Sequence, residues 1–393
     1  MKKLTTSVLA VVLSSSFAVV SAQKVQDTAK TQDIEGVVVT ALGIKREKKA
    51  LGYSVAQVGG GDIQKSGEPN VIQGLAGKVA GVQVTGTAGT PGASSRIVIR
   101  GQKSILLSSQ PLIVLDGQII DNSYNNNAGS GTNIGGVDDS NRAVDINPDD
   151  IESVTVLKGG AAAALYGEGA RNGVIIYVSK KGKKRNGIGV DFSTSVGYDM
   201  LSNMIDLQKT YAAGTNGTTY IPPAQYGSDG FPITSGTNQS WGPLISSVPG
   251  LQAYDNVKNF YQTGVTNNYN LALSGGNENG NFRASFGHLD QTGIVPNTSL
   301  KKTSFNVTSE YKFTDKLKAG ADLLYSNTTG VRAQKGSNVA GIMLSLLRTP
   351  ASYDLRDYKT SQGYNKNYFA AYDNPFYTVY NNPYTDETNR VIF

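Results

Sequence analysis

Few residues in this chain are equipped for chemistry. Cysteine is absent and histidine occurs once, at His288, so thiolate and multi-histidine metal sites are excluded. The most suggestive stretch is "VTVLKGGAAAALYGEGARNGVIIYVSKKGKKR", where a β-branched run breaks at Lys158, Gly159 and Gly160 and four alanines follow. A helix opening there could hold a phosphate on its free backbone N–H groups. The stretch lacks the G-x-x-x-x-G-K-[ST] spacing, and "GEGARNG" misses G-x-G-x-x-G by one residue. The competing reading is packing: alanines favour a helix that lies close to a neighbouring surface, Gly167 stops it, and Asn172 and Gly173 turn the chain into a second strand.

The carboxylates Asp138, Asp139, Asp145, Asp149 and Asp150 could hold a hard cation, but no loop has the spacing of a calcium loop, so caps and turns are the expected role. His288 stands beside an alternating strand with no partner in sequence, so a structural or surface role is expected. Nothing assembles a nucleophile, a base and an oxyanion hole, so no enzyme and no cofactor is expected. Eight of the 21 tyrosines fall between Tyr353 and Tyr384 among Asn, Asp and Pro. Tyr364, Tyr368 and Tyr372 are candidates for stacking a sugar or binding a peptide, because tyrosine offers an apolar face and a hydroxyl. An aromatic girdle with an ordinary loop is the alternative.

These residues need elements to carry them, and the order of elements is informative. Lys2 and Lys3 precede an apolar run from Val8 to Val20, and Val20, Ser21 and Ala22 precede Gln23. That reads as a signal peptide over 1–22, too short for a membrane anchor, with the mature chain starting at Gln23. No cysteine follows it, so lipid anchoring is not expected. The net charge of +6 owes much to the signal lysines and the 180–185 cluster; an exported chain without an aromatic-basic motif is not expected to bind nucleic acid. In the polar tail over 23–52, "DIEGVVVTA" sets Val37, Val38 and Val39 behind Asp33 and Glu35. Such a run is suited to joining the edge of another protein's sheet, or is simply the first strand of the next domain.

From 53 to 186 strands and helical turns alternate, predicting a small α+β domain. "PNVIQGLAGKVAG" predicts a helix capped by Asn70, with Val71, Ile72, Leu75 and Val79 on one face. "PLIVLDGQII" predicts a tight hairpin at Asp116-Gly117, and "INPDDIESVTV" a helical turn opening at Asn147-Pro148 before a strand. From 187 onward the pattern becomes strictly alternating. Ile188, Val190, Phe192, Thr194, Val196 and Tyr198 share one face, and the same period returns at Tyr269-Leu271-Leu273, Phe282-Ala284-Phe286, Phe305 to Phe313 and Leu317 to Tyr325. Strands of this kind suit a transmembrane barrel better than a soluble sandwich, because their second face is so polar. Eight tilted strands close to about 16 Å and twenty-two to about 44 Å, whereas a compact domain of ~150 residues is about 38 Å across. A barrel around the small domain must therefore be large, and 187–393 supplies only part of it. We expect the native polypeptide to be longer, or its other strands to come from another chain.

Several stretches, taken in order, resemble the SusC/RagA type of TonB-dependent outer-membrane transporter. They are "VVVTALGIKREKKALGYSV", "GKVAGVQVTGTAGTPGASSRIVIRG", "SSQPLIVLDGQIIDNS", "INPDDIESVTVLKGGAAAALYGEGARNGVIIYVSKKGK", "SFGHLDQTGIVPNTSLKKTSFN" and "DNPFYTVYNNPYTDETNRVI". The resemblance implies an α+β plug domain followed by the first strands of a large antiparallel transmembrane β-barrel, twenty-two strands when complete, with the rest beyond Phe393. It also implies energy-coupled import of an oligosaccharide or peptide in partnership with TonB and a SusD-like surface lipoprotein. Asp33, Ile34, Glu35, Gly36, Val37, Val38, Val39, Thr40 and Ala41 are the expected TonB-contacting segment. The extra N-terminal domain often found in the family has no counterpart in these stretches. A siderophore or cobalamin receptor fits the signatures poorly; a surface-binding β-protein without transport is the alternative from another class.

Overall fold

The computed structural model describes residues 54–86, 90–105, 108–122, 137, 140–159, 162–334, 341–369 and 372–392, together with two short strands, Val37–Val39 and Lys45–Glu47, as backbone. The signal-peptide expectation over 1–22 and the acidic pair Asp138 and Asp139 lie outside the described residues. In chain order the first elements are β1 (Val37–Val39), β2 (Lys45–Glu47), β3 (Val55–Gly59) and α1 (Gly60–Lys65), then β4 (Val82–Gly86), β5 (Ser95–Ile99), β6 (Leu112–Leu115) and β7 (Gln118–Ile120). β8 (Ile151–Leu157), α2 (Ala163–Tyr166) and β9 (Val174–Ser179) complete the α+β part.

Five of these strands form one sheet in the order β3-β8-β9-β6-β7, antiparallel except where β6 runs parallel to β9. Its centre is buried on both faces, as a near-continuous apolar run predicts. Ile175 and Tyr177 point to a core shared with Ile63, Ile72 and Leu75, while Val174 and Ile176 point to the opposite core with Ala162 and Ala170. Ala162 and Ala170, which flank the single turn α2, cover the second face with the partly buried Tyr166, while Ala164 and Leu165 of α2 are exposed, so the stretch packs through its ends. Lys158 is turned away from any anion role, donating from Nζ to the Ala80 carbonyl at 2.7 Å. Asp116 and Gly117 both take positive φ, 48° and 91°, which closes the expected two-residue hairpin between β6 and β7.

The helix expected after Asn70 is corrected. Asn70 does accept from the Ile72 N–H at 3.0 Å, but only a 3-10 turn, Gln73–Leu75, follows. Gly77 and Gly81 sit at φ of 73° and 72° and end any helical run. Val71, Ile72, Leu75 and Val79 nevertheless all reach one core, because turns of 3-10 type present side chains at close intervals on one side.

A linker leads to β10 (Arg185–Asp199), followed by a long excursion holding β11 (Gly214–Thr215), β12 (Thr219–Tyr220) and α3 (Asn256–Phe260). Then come β13 (Gly264–Gly276), β14 (Gly280–Thr292), β15 (Ser299–Lys312) and β16 (Lys318–Arg332), a second excursion with α4 (Ile342–Arg348) and α5 (Pro375–Asn381), and β17 (Tyr384–Ile392). Six strands pair in the order β10-β13-β14-β15-β16-β17, every neighbour antiparallel, as an open sheet with β10 and β17 at its edges. Phe313 and Leu317, expected within strands, instead close the turn between β15 and β16, with Phe313 N–H donating to the Leu317 carbonyl.

The register of this wall explains its alternation. Phe192, Leu271, Phe286, Phe305, Tyr325 and Val391 lie in one line across all six strands and are all exposed on the outer face. One step toward the long excursions, the corresponding line is Thr194, Tyr269, His288, Thr303, Asn327 and Asn389. An unbroken apolar belt bordered by a polar, tyrosine-bearing line is the surface a bilayer requires and a sandwich would cover. His288 belongs to that border, 3.0 Å from the Thr303 hydroxyl through Nδ1. No helix among the described residues is long and apolar enough to cross a membrane. Val307 lies inside the belt and Thr303 on its border. Val307→Lys should thus cost about 2–4 kcal/mol of folding stability in a bilayer and Thr303→Lys at most about 1 kcal/mol. Urea unfolding of the intact protein in lipid vesicles checks this; equal costs would refute the belt.

Candidate functional site

The inner face of the wall is the opposite of the outer one. Asn270, Ser274, Arg283, Ser285, Lys302, Ser304, Asn306, Thr308, Ser326, Thr328 and Arg332 are buried there, which a solvent-free interface permits only if the polar groups find partners. They find them in the α+β domain. Four neighbouring strands each contribute one cation, and all four converge on a single segment of that domain, residues 140–150. From β14, Arg283 approaches Asp150 at 2.7 Å, both side chains 5% exposed. From β15, Lys302 donates from Nζ to the carbonyls of Val144 at 2.9 Å, Ile146 at 3.2 Å and, more distantly, Pro69. From β16, Arg332 donates to the Ser140 hydroxyl at 2.6 Å and pairs with Asp386 of β17 at 2.9 Å. From β17, Arg390 reaches Asp145 at 3.4 Å, where Arg142 also lies.

Local sequence prepares the 140–150 segment to receive them. Asn147 caps the 3-10 turn Pro148–Asp150, accepting from the Asp149 N–H at 3.1 Å, so the turn opens where Asn147-Pro148 predicted. That fixes the two carboxylates on one side. Asp149 accepts from Asn268 at 2.8 Å and from Gln64, and Asn147 donates to Asn270 at 3.2 Å. A Cβ at Gly287 of β14 would meet the Asn147 side-chain amide at 2.5 Å and the Ser304 hydroxyl at 2.8 Å, so a larger residue there would push the Asn147 amide aside. Asp145, Asp149 and Asp150 are thus partners of cations, amides and a cap, and no group of His, Asp and Glu suited to a metal occurs among the described residues.

Sequence reasoning did not find this seat. Its signal was present in the strand phase: with Phe282, Phe305, Tyr325 and Val391 outward, Arg283, Lys302, Arg332 and Arg390 must face inward.

The ends of the wall differ. The linker before β10, residues 277–279 and residues 313–317 lie at one end, while the excursions over 200–263 and 333–383 lie at the other. On the excursion side Tyr353, Leu355, Leu346, Val379 and Phe260 form a core of their own. Asn374 caps α5 and also donates to the Leu355 carbonyl at 3.0 Å. Of the tyrosine candidates, Tyr364 is exposed, Tyr372 is half-buried, and Tyr368 is only 3% exposed, stacked on Tyr372 with ring centres 6.4 Å apart. Tyr368 is therefore a packing residue of this core, its hydroxyl pushed up to about 12 by burial. A cavity of about 680 Å³ opens between residues 200–209, 254–263 and the end of α4.

In the expected partner segment, β1 pairs antiparallel with β2, Val38 opposite Arg46; Asp33, Ile34, Glu35, Gly36, Thr40 and Ala41 lie outside the described residues.

Comparison with known proteins agrees with this architecture. Residues 47–174 match the family model described as the TonB-dependent Receptor Plug Domain. The chain is 30% identical to TonB-dependent receptor SusC of Bacteroides thetaiotaomicron, over 88% of this chain and 32% of that protein. A TonB-dependent receptor of Formosa agariphila is 31% identical over 81% of this chain and 27% of its own length. The chain thus spans about a third of the length of these relatives. In fold it is similar to the RagAB peptide importer in its open-open state, with a TM-score of 0.61 at 22% identity over 81% of this chain and 35% of that one.

Proposed function

The chain is of the SusC/RagA type of TonB-dependent receptor, and we propose that it imports an oligosaccharide or peptide too large for porins across the bacterial outer membrane. The observation that carries this reading is the four-cation seat, which holds a folded domain against the inner face of a wall whose outer face is apolar. A domain so placed is a gate. It is fastened largely by hydrogen bonds and ion pairs that can be exchanged for water, beside a small apolar contact of Val144 with Leu289 and Leu300.

Under this reading 1–22 is the signal peptide, 23–52 the tail that meets TonB, 53–186 the plug and 187–393 the first part of a multi-pass barrel. The long excursions face outward and the short turns face the periplasm. Cargo binds among the outer loops beneath a SusD-like surface lipoprotein. Occupancy then frees the tail, and TonB, driven by its inner-membrane energising proteins, pulls on it. The protein performs no bond chemistry, and the work comes from the proton gradient. A protonophore, or deletion of TonB, should abolish uptake and growth on the cognate glycan or peptide while leaving binding to whole cells intact. Uptake that persists without the gradient would overturn the proposal.

A further inference from the structure

We propose that the outer cavity is a carboxylate-binding site centred on Arg348, and that the cargo is therefore acidic; this deepens the import reading and rests on it. The cavity of about 680 Å³ is lined by Met200, Met204 and Ile205 together with Tyr254, Lys258 and Arg348. A space of this size and mixed polarity suits a small organic ligand or one end of a longer one.

Arg348 occupies the last turn of α4. Its guanidinium carbon lies over the Tyr372 ring, 4.9 Å from the centre. Its Nη1 is buried and has no hydrogen-bond partner among the described residues. A cation at a helix C-terminus is favoured by the helix dipole, which accounts for the charge but not for a buried donor left unmet.

Three other loop cations are paired. Arg356 pairs with Asp354 at 2.7 Å, Lys366 pairs with Asp357, and Lys209 pairs with Asp255 at 2.7 Å. Asp255, which lines the cavity, is further committed as the cap of α3, accepting from the Lys258 N–H at 3.1 Å. Lys209 first, then that N–H, hold its carboxyl below the usual range, so it stays charged and paired. Asp206 lines the cavity too but makes no ion pair with Arg348. The Tyr372 ring lies against the guanidinium while Nη1 remains without a partner, and a guanidinium receives a carboxylate through two parallel hydrogen bonds.

Two sources can supply such a group: the C-terminus or an acidic side chain of a peptide, or the uronate of an acidic sugar. Titration calorimetry on the purified intact receptor separates them, using an acetylated tripeptide acid against its amide and trigalacturonate against its methyl ester. One acid should bind about tenfold more tightly than its uncharged counterpart, and the arm in which this happens names the source. Arg348→Met should weaken that acid about ten- to a hundred-fold, leave the uncharged probe unchanged, and be partly rescued by Arg348→Lys, which keeps the charge but not the fork. The acid-against-neutral comparison needs no variant, so a misassembled mutant does not blunt the test. Equal binding of acid and neutral probes, failure of both acids to bind, or a carboxylate of the receptor's own chain seated on Arg348 in the intact protein would overturn the site. Binding to purified receptor needs no gradient, so this result is independent of whether uptake proves to be TonB-driven.

Discussion

Cells whose receptor lacks residues 33–41 should bind cargo at the surface and import none of it. The segment includes β1, held in the described residues by three residue pairs with β2. So short a two-stranded ladder has little stability of its own, and its β-branched strand, Val37, Val38 and Val39, can pair instead with the edge of another protein's sheet. The tail leads into β3, which lies at the edge of the five-stranded sheet and is paired only with β8. Tension on the tail therefore acts on a strand that can be peeled one ladder bond at a time, whereas a central strand would have to shear two ladders at once. Binding should survive the deletion because the outer cavity is built from residues 200–209, 254–263 and 346–351, at the end of the wall opposite the linker. Import of labelled cargo, measured beside whole-cell binding, tests this directly. Normal import would leave the rival reading, a surface-binding β-protein, as the better one.

Much of the wall was legible because its signal has a period of two and needs no partner to be recognised. Phe282, Phe286 and Phe305 announce their face in the sequence, and pairing merely aligns them. The adjacent lysines of β15 show where such reading stops. Lys301 points outward, is 62% exposed and approaches Asp290 at 3.6 Å, whereas Lys302 is 4% exposed and holds three carbonyls. Their identity is the same and only the strand phase separates them. Lys302's partners are also more than a hundred residues away in sequence, at Val144 and Ile146. The 140–150 segment suffered the converse ambiguity: its acidic residues suggested calcium, and only the facing strands reveal that the positive charge they meet belongs to arginine. The stretch after Asn70 misled for a local reason, since its apolar spacing is helical while its glycines are not. Arg348 could not be singled out at all, because an arginine ending a short helix is ordinary until its Nη1 proves to be buried without a partner.

The second large effect should come from Arg283→Met. Arg283 and Asp150 are each 5% exposed and lie 2.7 Å apart, so deleting the cation leaves a carboxylate in a site that water does not reach. Breaking a buried pair from one side costs about 3–5 kcal/mol, mostly the penalty of the stranded charge. That cost falls on the docked state alone, because an undocked plug exposes Asp150 to water. The undocked population should rise by roughly two to four orders of magnitude. The intact receptor carrying Arg283→Met should consequently leak, admitting a large hydrophilic antibiotic in cells that lack TonB, where the wild type does not. Adding Asp150→Leu removes the stranded charge, and a buried pair replaced by apolar groups is often neutral, so the double variant should leak far less than the single one. Arg283→Lys keeps a charge near Asp150 and should lie between them. This ordering separates a seat from general damage: a merely destabilised barrel would leak at least as much with two substitutions as with one. Leakage that adds rather than cancels in the double variant would show that the Arg283–Asp150 pair does not hold the gate.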